Sequence, residues 1–362
     1  MRRVGCLVVG GGVAGSATAW WLSREGHEVV SLEQFEQGHA RGSSHGPVRI
    51  FRFVYPIADY VRLAREALPL WRLAETDAGE TLVELTGGID FGDAVTLARI
   101  TATLDAEGID YEMMSASAAA QRFPGFRFEG DVLFQPQGGR CYAERAVAAF
   151  QRVAKDNGAE VRFEEPVVSV EESSGKALVR TAVDEYLADV CVVAAGAWVE
   201  RLVGGRFAFP ELRVTREQPA YFASSLPESA WPSFINHGGA GGGAFASYGL
   251  HSPGLGLKVG VHMGGSEVDP DLPAGDPGGE AIEELARVAA GLLPGVEPRP
   301  IAVEQCLYTT TPNEDFVIER NSPIVVASPC SGHGFKFGPA IGKMVAEFAL
   351  GQSQPLDRFR LR

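Results

Sequence analysis

The chain has 362 residues, 45% of them hydrophobic and 22% charged, with a formal net charge of −14. That length allows two domains around a large core, and the composition is that of a soluble globular protein. The acidic balance argues against nucleic acid or an anionic membrane as partner, since both call for a basic surface. The first elements follow at once. Val4–Val9 is an apolar run, Gly10-Gly11-Gly12-Val13-Ala14-Gly15 a glycine turn, Ser16–Arg24 a helix, and Glu28–Leu32 a second strand that ends on Glu33. Gly10 suits the tight turn, Gly12 lets a pyrophosphate approach the backbone, and Gly15 lets the helix pack close to the strand. The helix N-terminus offers free N–H groups and its positive dipole end to phosphates. Glu33, about twenty residues downstream, suits ribose hydroxyls and repels a 2′-phosphate, so FAD or NAD fits and NADP does not.

The segment from Gly38 to Arg52 is polar, punctuated by glycine and dense in donors, among them Arg41, Ser43, Ser44, His45, Arg49 and Arg52. Such groups suit a second phosphate, a flavin ring or an anionic substrate. Tyr60–Glu75 has helical periodicity, with Leu63, Ala67, Leu70, Trp71 and Ala74 on one face. Short strands follow at Gly88–Phe91 and Val132–Gln135, with a helix at Ala94–Glu107 between them. Ala143–Asn157 is a helix closed by Gly158. Val161–Phe163 and Val167–Glu171 read as strands. Tyr186–Ala195 is a buried strand running into the small-residue turn Ala195-Gly196-Ala197-Trp198, a form that lies well against a bound dinucleotide.

Leu212–Ser224, Phe245–Leu250 and Leu257–Met263 read as strands of a second, largely antiparallel sheet, with a glycine loop, Gly238–Gly243, beside it. That loop is expected to be a mobile edge of the substrate domain or a plain surface hairpin. A helix at Ala281–Leu293 ends at Pro294. Strands are expected at Glu304–Tyr308, Phe316–Glu319 and Ile324–Ala327, then a helix at Pro339–Leu350. The five cysteines form no C-x-x-C pair, so reduced thiols are expected and a metal site is not. No apolar run approaches the roughly 18 residues of a membrane span and no cleavable signal is read, which leaves the cytoplasm as the default.

Several blocks together resemble the monomeric sarcosine oxidase family, flavin-dependent amine oxidases related to D-amino acid oxidase. They are Gly10–Gly15, Gly42–Gly46 with Arg49 and Arg52, Ala195–Trp198, Leu257-Lys258, His262, Cys306-Leu307-Tyr308-Thr309 and Ser331–Phe337. The resemblance implies an α/β fold: a Rossmann-type FAD-binding domain and a second, mainly antiparallel substrate domain, as in D-amino acid oxidase. Residues 1–80, 140–210 and 300–362 would form the first, 81–139 and 211–299 the second. It implies FAD as cofactor, bound through Gly10, Gly12, Gly15, Glu33, Arg41, Ser43, Ser44, His45, Arg49, Val167, Gly196, Gly332, Gly334 and Lys336, with a thioether from Cys306 to the flavin 8-methyl carbon. Arg52 and Lys336 would clamp a substrate carboxylate and Tyr248 would line the substrate. Lys258, Arg49, His262 and His45 are the catalytic candidates, Lys258 promoting reaction with oxygen and His262 holding the amine neutral.

The expected reaction is oxidation of the C–N bond of a secondary or cyclic amino acid to an imine, with molecular oxygen reduced to hydrogen peroxide, in a monomer. Departures from the family pattern gather at the substrate side: Pro47-Val48, Pro56-Ile57-Ala58 and Ser328-Pro329-Cys330. They argue against carrying over sarcosine itself and for a larger or cyclic amino acid. The competing readings are a dehydrogenase or desaturase passing electrons to another protein, an NAD(P)H-using monooxygenase, and a flavoprotein without catalysis.

Overall fold

The computed structural model describes residues 1–238 and 247–361. Its first sheet is built on Arg2–Val9, which runs parallel to Val29–Leu32 on one side and to Glu185–Val193 on the other. Glu160–Arg162 extends the sheet beyond Val29–Leu32, and Ile324–Ser328 beyond Glu185–Val193, both in parallel. Central parallel strands are covered on both faces, which is why they read as unbroken apolar runs. On the edge away from Arg2–Val9, Glu185–Val193 serves two neighbours: its first half pairs antiparallel with Lys176–Thr181 and its last residues pair with Ile324–Ser328.

The helix Val13–Arg24 follows the glycine turn and packs on the helices Gly338–Ala349 and Ala143–Asp156. Trp20, Trp71 and Phe150 are fully buried where these helices meet Ala58–Ala78. Ala58–Ala78 buries the face expected of it, Leu63, Ala67, Trp71 and Ala74, with Leu70 packed at the margin.

The second sheet also has eight strands, in the order Val296–Val303, Ala220–Ser224, Gly256–Val261, Ser247–Ser252, Ser233–Asn236, Gly88–Phe91, Val132–Gln135, Glu112–Met114. All neighbours are antiparallel except Ser233–Asn236 with Gly88–Phe91. Alternation sorts its side chains. Ile89, Phe91, Phe222, Phe234, Leu257 and Val259 face a core closed by the helix Gly279–Leu292. Cross-strand partners share a face, so Asp90, Ile235 and Tyr248 form one row on the other side and Leu250, Lys258 and Tyr221 a second.

Leu212–Ser224 is not one strand. The chain breaks at Gln218-Pro219, because proline cannot donate to a ladder. Arg213–Glu217 joins a three-stranded sheet with Cys306–Thr310 and Ser266–Glu267, while Ala220–Ser224 enters the second large sheet. The strands Val48–Phe51, Gly139–Tyr142, Lys176–Thr181, Ser233–Asn236 and Val296–Val303 were not legible in the sequence. The last carries two prolines and is tolerated at the sheet edge with irregular register. The expected glycine loop lies, for residues 239–243, outside the described residues. Among the described residues no helix is long and apolar enough to cross a membrane.

Candidate active site

A cavity of about 860 Å³ runs from the glycine turn to Lys336, lined by both large sheets and by the segments joining them. At one end, Glu33 is buried and its carboxylate accepts the Gly11 N–H at 2.6 Å and the Phe35 N–H at 3.0 Å. Burial opposes its ionisation, yet hydrogen bonds from His39 and from these amides hold its pKa below the usual range. A carboxylate has about four acceptor positions, and with Gly11, Phe35 and His39 on three of them about one is left to accept from a ligand. Gly15 stands behind the turn rather than on the cavity wall; a Cβ there would lie 1.9 Å from the Gly10 carbonyl oxygen. Ser44 Oγ accepts the Val13 N–H at 3.0 Å, which sets its hydroxyl at the helix N-terminus. Gly10, Gly12, Ser43, Ser44, Val167 and Gly196 line this half of the cavity. Arg41 does not: it is exposed, with its guanidinium over the Phe35 ring at 4.5 Å.

In the middle, cations gather. Arg49 donates to the carbonyl oxygens of Val48, Ser43 and His45, which fixes its fork against the loop 43–48. His45 is buried, and burial with the nearby Arg49 lowers its pKa to about 4, so the ring is neutral at pH 7. Its Nε2 makes no hydrogen bond among the described residues. Lys258 is 2% exposed, placed by strand alternation between the core residues Leu257 and Val259. Its ammonium meets Glu304 Oε2 at 2.8 Å. Cys306 is buried beside these groups; burial raises its pKa, against the pull of Arg49 and Lys258. Glu304 is one residue that sequence reasoning missed. A single acid two places before Cys306 resembles a surface charge until the fold turns it inward.

At the far end, Arg52 stacks over the Tyr55 ring at 4.4 Å and contacts Asp90 at 3.3 Å. Asp90 also binds His237 Nε2 at 2.8 Å. Neither Asp90 nor His237 was anticipated; the available signal was an acid inside the apolar strand Gly88–Phe91. Lys336 is 5% exposed, donates to the His333 carbonyl oxygen at 2.6 Å, and forms no salt bridge among the described residues. Burial, then Arg52, drives its pKa well below the ordinary lysine value. Tyr248, His262, Gly332 and Gly334 line the same end, with His262 3.5 Å from Glu314.

The residues present suit FAD. A long cavity begins at a glycine turn, His45 on its wall carries a buried ring nitrogen without a hydrogen bond among the described residues, and cations surround its middle. What the arrangement can do is hold an anion between Arg52 and Lys336 while a ring system lies beside His45, Arg49 and Lys258.

A family model of FAD dependent oxidoreductases matches residues 6–348. The peroxisomal sarcosine oxidase of Mus musculus is 34% identical, over 98% of this chain and 95% of its own. The monomeric sarcosine oxidase of Bacillus sp. strain NS-129 is 29% identical, over 95% and 92%. Among solved structures, the open form of NikD, an unusual amino acid oxidase essential for nikkomycin biosynthesis, superposes with a TM-score of 0.88 at 27% identity, covering 99% of this chain and 98% of that one.

Proposed function

The chain belongs to the FAD dependent oxidoreductase family and is of the sarcosine oxidase type, and from that premise we propose that it oxidises the C–N bond of a secondary or cyclic amino acid to an imine. The observation that carries the substrate class is Lys336, a buried ammonium with no carboxylate partner among the described residues, which shares the Tyr55 ring with the donor fork of Arg52. An unpaired buried charge is costly, and a substrate carboxylate arriving there supplies the missing partner. The relatives named for sarcosine, and another named for N-methyl-L-tryptophan, extend the class to N-methyl amino acids.

FAD, when bound, would supply the redox chemistry, acceptance of a hydride from the carbon beside nitrogen. The chain's own residues bind and orient. We assign Glu33, the glycine turn, Ser43, Ser44, Val167, Gly196, Gly332 and Gly334 to holding the cofactor, and Arg52, Lys336 and Tyr248 to the substrate. Arg41, exposed over the Phe35 ring and off the cavity wall, is left out of this set. His262 is given the proton of the substrate ammonium, since the amine needs its lone pair before oxidation. Arg49 and Lys258 set a positive field where negative charge develops; with oxygen as acceptor the second product is hydrogen peroxide. Cys306, buried and lining the cavity among these cations, is proposed to carry the flavin as a thioether. The protein is taken to act as a monomer in the cytoplasm, with residues 1–80, 140–210 and 300–362 as the FAD-binding domain and 81–139 and 211–299 as the substrate domain.

The test is anaerobic: secondary and cyclic amino acids, and the same amines without a carboxylate, are mixed with the purified protein. Acids should bleach the flavin absorbance and the decarboxylated amines should not. Bleaching by both alike would remove the carboxylate from the proposal.

A further inference from the structure

Burying an ammonium on the wall of a cavity requires a partner that keeps it charged. Lys258, Leu250 and Tyr221 are cross-strand neighbours on one face of the second sheet. Tyr221 in turn pairs with Ala302 on the edge strand. Two residues further along, Glu304 therefore arrives beside both Lys258 and Tyr221. Its Oε2 accepts from Lys258 Nζ at 2.8 Å and from the Tyr221 hydroxyl at 2.5 Å. Its Oε1 has no hydrogen bond among the described residues and lies 3.8 Å from Arg49 Nη1 and 3.8 Å from His45 Nδ1. The opposite wall is Gly46 at φ +88°, where a Cβ would stand 2.1 Å from that oxygen. The carboxylate fits because position 46 has no side chain.

We propose that Glu304 is the positioning residue for Lys258: it fixes the ammonium on the cavity face and keeps it protonated at neutral pH, so that without this carboxylate the lysine is neutral. The consequence for oxygen rests on the reading of Lys258 as the residue that promotes flavin reoxidation; the pairing itself does not. The groups facing Lys258 are Arg49 from the strand Val48–Phe51, Cys306 from the strand Cys306–Thr310, Tyr221 from the strand Ala220–Ser224, His45 from the loop before Pro47, and Glu304. Burial pushes the Tyr221 hydroxyl and the Cys306 thiol up, which keeps both neutral, and His45 is neutral as well. Arg49 repels the ammonium. That leaves Glu304 as the anion in contact. Burial and then Arg49 bring Lys258 down to about 8 even with Glu304 opposing them, and the same contact holds Glu304 at about 2. An opposite charge at this distance is worth about 1–3 pH units to its partner.

The measurement is the titration of the Lys258 ε-carbon by ¹³C NMR in the FAD-loaded protein, with lysine selectively labelled and the signal assigned by its loss in Lys258→Met. The midpoint should lie near 8 in the natural chain, fall by about 1–3 pH units in Glu304→Gln, and return most of the way in Glu304→Asp. A midpoint unmoved in Glu304→Gln overturns the proposal. If Glu304→Gln does not fold, the double variant Lys258→Met/Glu304→Gln decides. Recovery of folding supports a mutual charge pair, and failure to fold where Lys258→Met alone succeeds overturns it. The pH profile of flavin reoxidation should shift with the NMR midpoint. An NMR shift without that second shift leaves the pair standing and removes the oxygen role of Lys258.

Discussion

Replacing Lys336 by methionine separates binding from folding. The ammonium is 5% exposed, forms no salt bridge among the described residues and lies 5.1 Å from the Phe337 ring centroid and 5.6 Å from that of Tyr55. Its one hydrogen bond, to the His333 carbonyl, does not balance the loss of hydration. Methionine fills nearly the same volume without the charge, so thermal stability should be unchanged or higher. The substrate carboxylate, by contrast, loses one partner of a buried charge pair, worth about 2–4 kcal/mol, or about 30- to 900-fold in kcat/KM for acid substrates. Arg52→Ala should cost a similar amount. The pH dependence has a definite sign. Lys336 is depressed in the free protein, and a bound carboxylate raises it again. Between its free and its bound pKa, binding therefore takes up a proton and acid substrates bind more weakly as pH rises. Below that pKa the lysine is already charged and the effect disappears. Steady-state kinetics on acid substrates, with calorimetry of a carboxylate inhibitor in buffers of different ionisation enthalpy, reads all of this. Undiminished kcat/KM for acid substrates in Lys336→Met, or a proton uptake that is missing from the natural chain or persists in Lys336→Met, would refute the reasoning.

Three further outcomes are expected. Lys258→Met should slow reoxidation of the reduced flavin by oxygen far more than its reduction by substrate, measured by stopped flow; equal effects on both half-reactions would exclude the role. Cys306→Ser should release its yellow colour into the supernatant on acid precipitation, whereas the natural chain keeps it on the polypeptide; release from both argues against a thioether. Gly15→Ala forces a Cβ to 1.9 Å from the Gly10 carbonyl oxygen, so it should lose about 1–3 kcal/mol of stability from overpacking and retain less FAD per polypeptide, and full retention would show that the turn can relax.

The amino-acid sequence alone determined the parts that depend on neighbours along the chain. The turn from Gly10 to Gly15, the acid at Glu33, the buried face of Ala58–Ala78 and the apolar runs of the parallel sheet are local patterns, because a strand buried on both faces and a helix with one apolar face each impose their own periodicity. The grouping of Arg49, Lys258, Cys306 and Lys336 was legible only through the family motifs, since nothing local relates residue 49 to residue 336. Tertiary structure decided the charge balance. Glu304 and His237 look like ordinary surface or loop residues in sequence, and Asp90 is a lone acid in an apolar strand with no partner in view. They become partners of Lys258 and Arg52 because strand register, and the break at Pro219 that sends Arg213–Glu217 and Ala220–Ser224 into different sheets, bring them to one wall. A long-range ion pair leaves no periodic trace in a sequence, and its strength depends on burial that only packing creates.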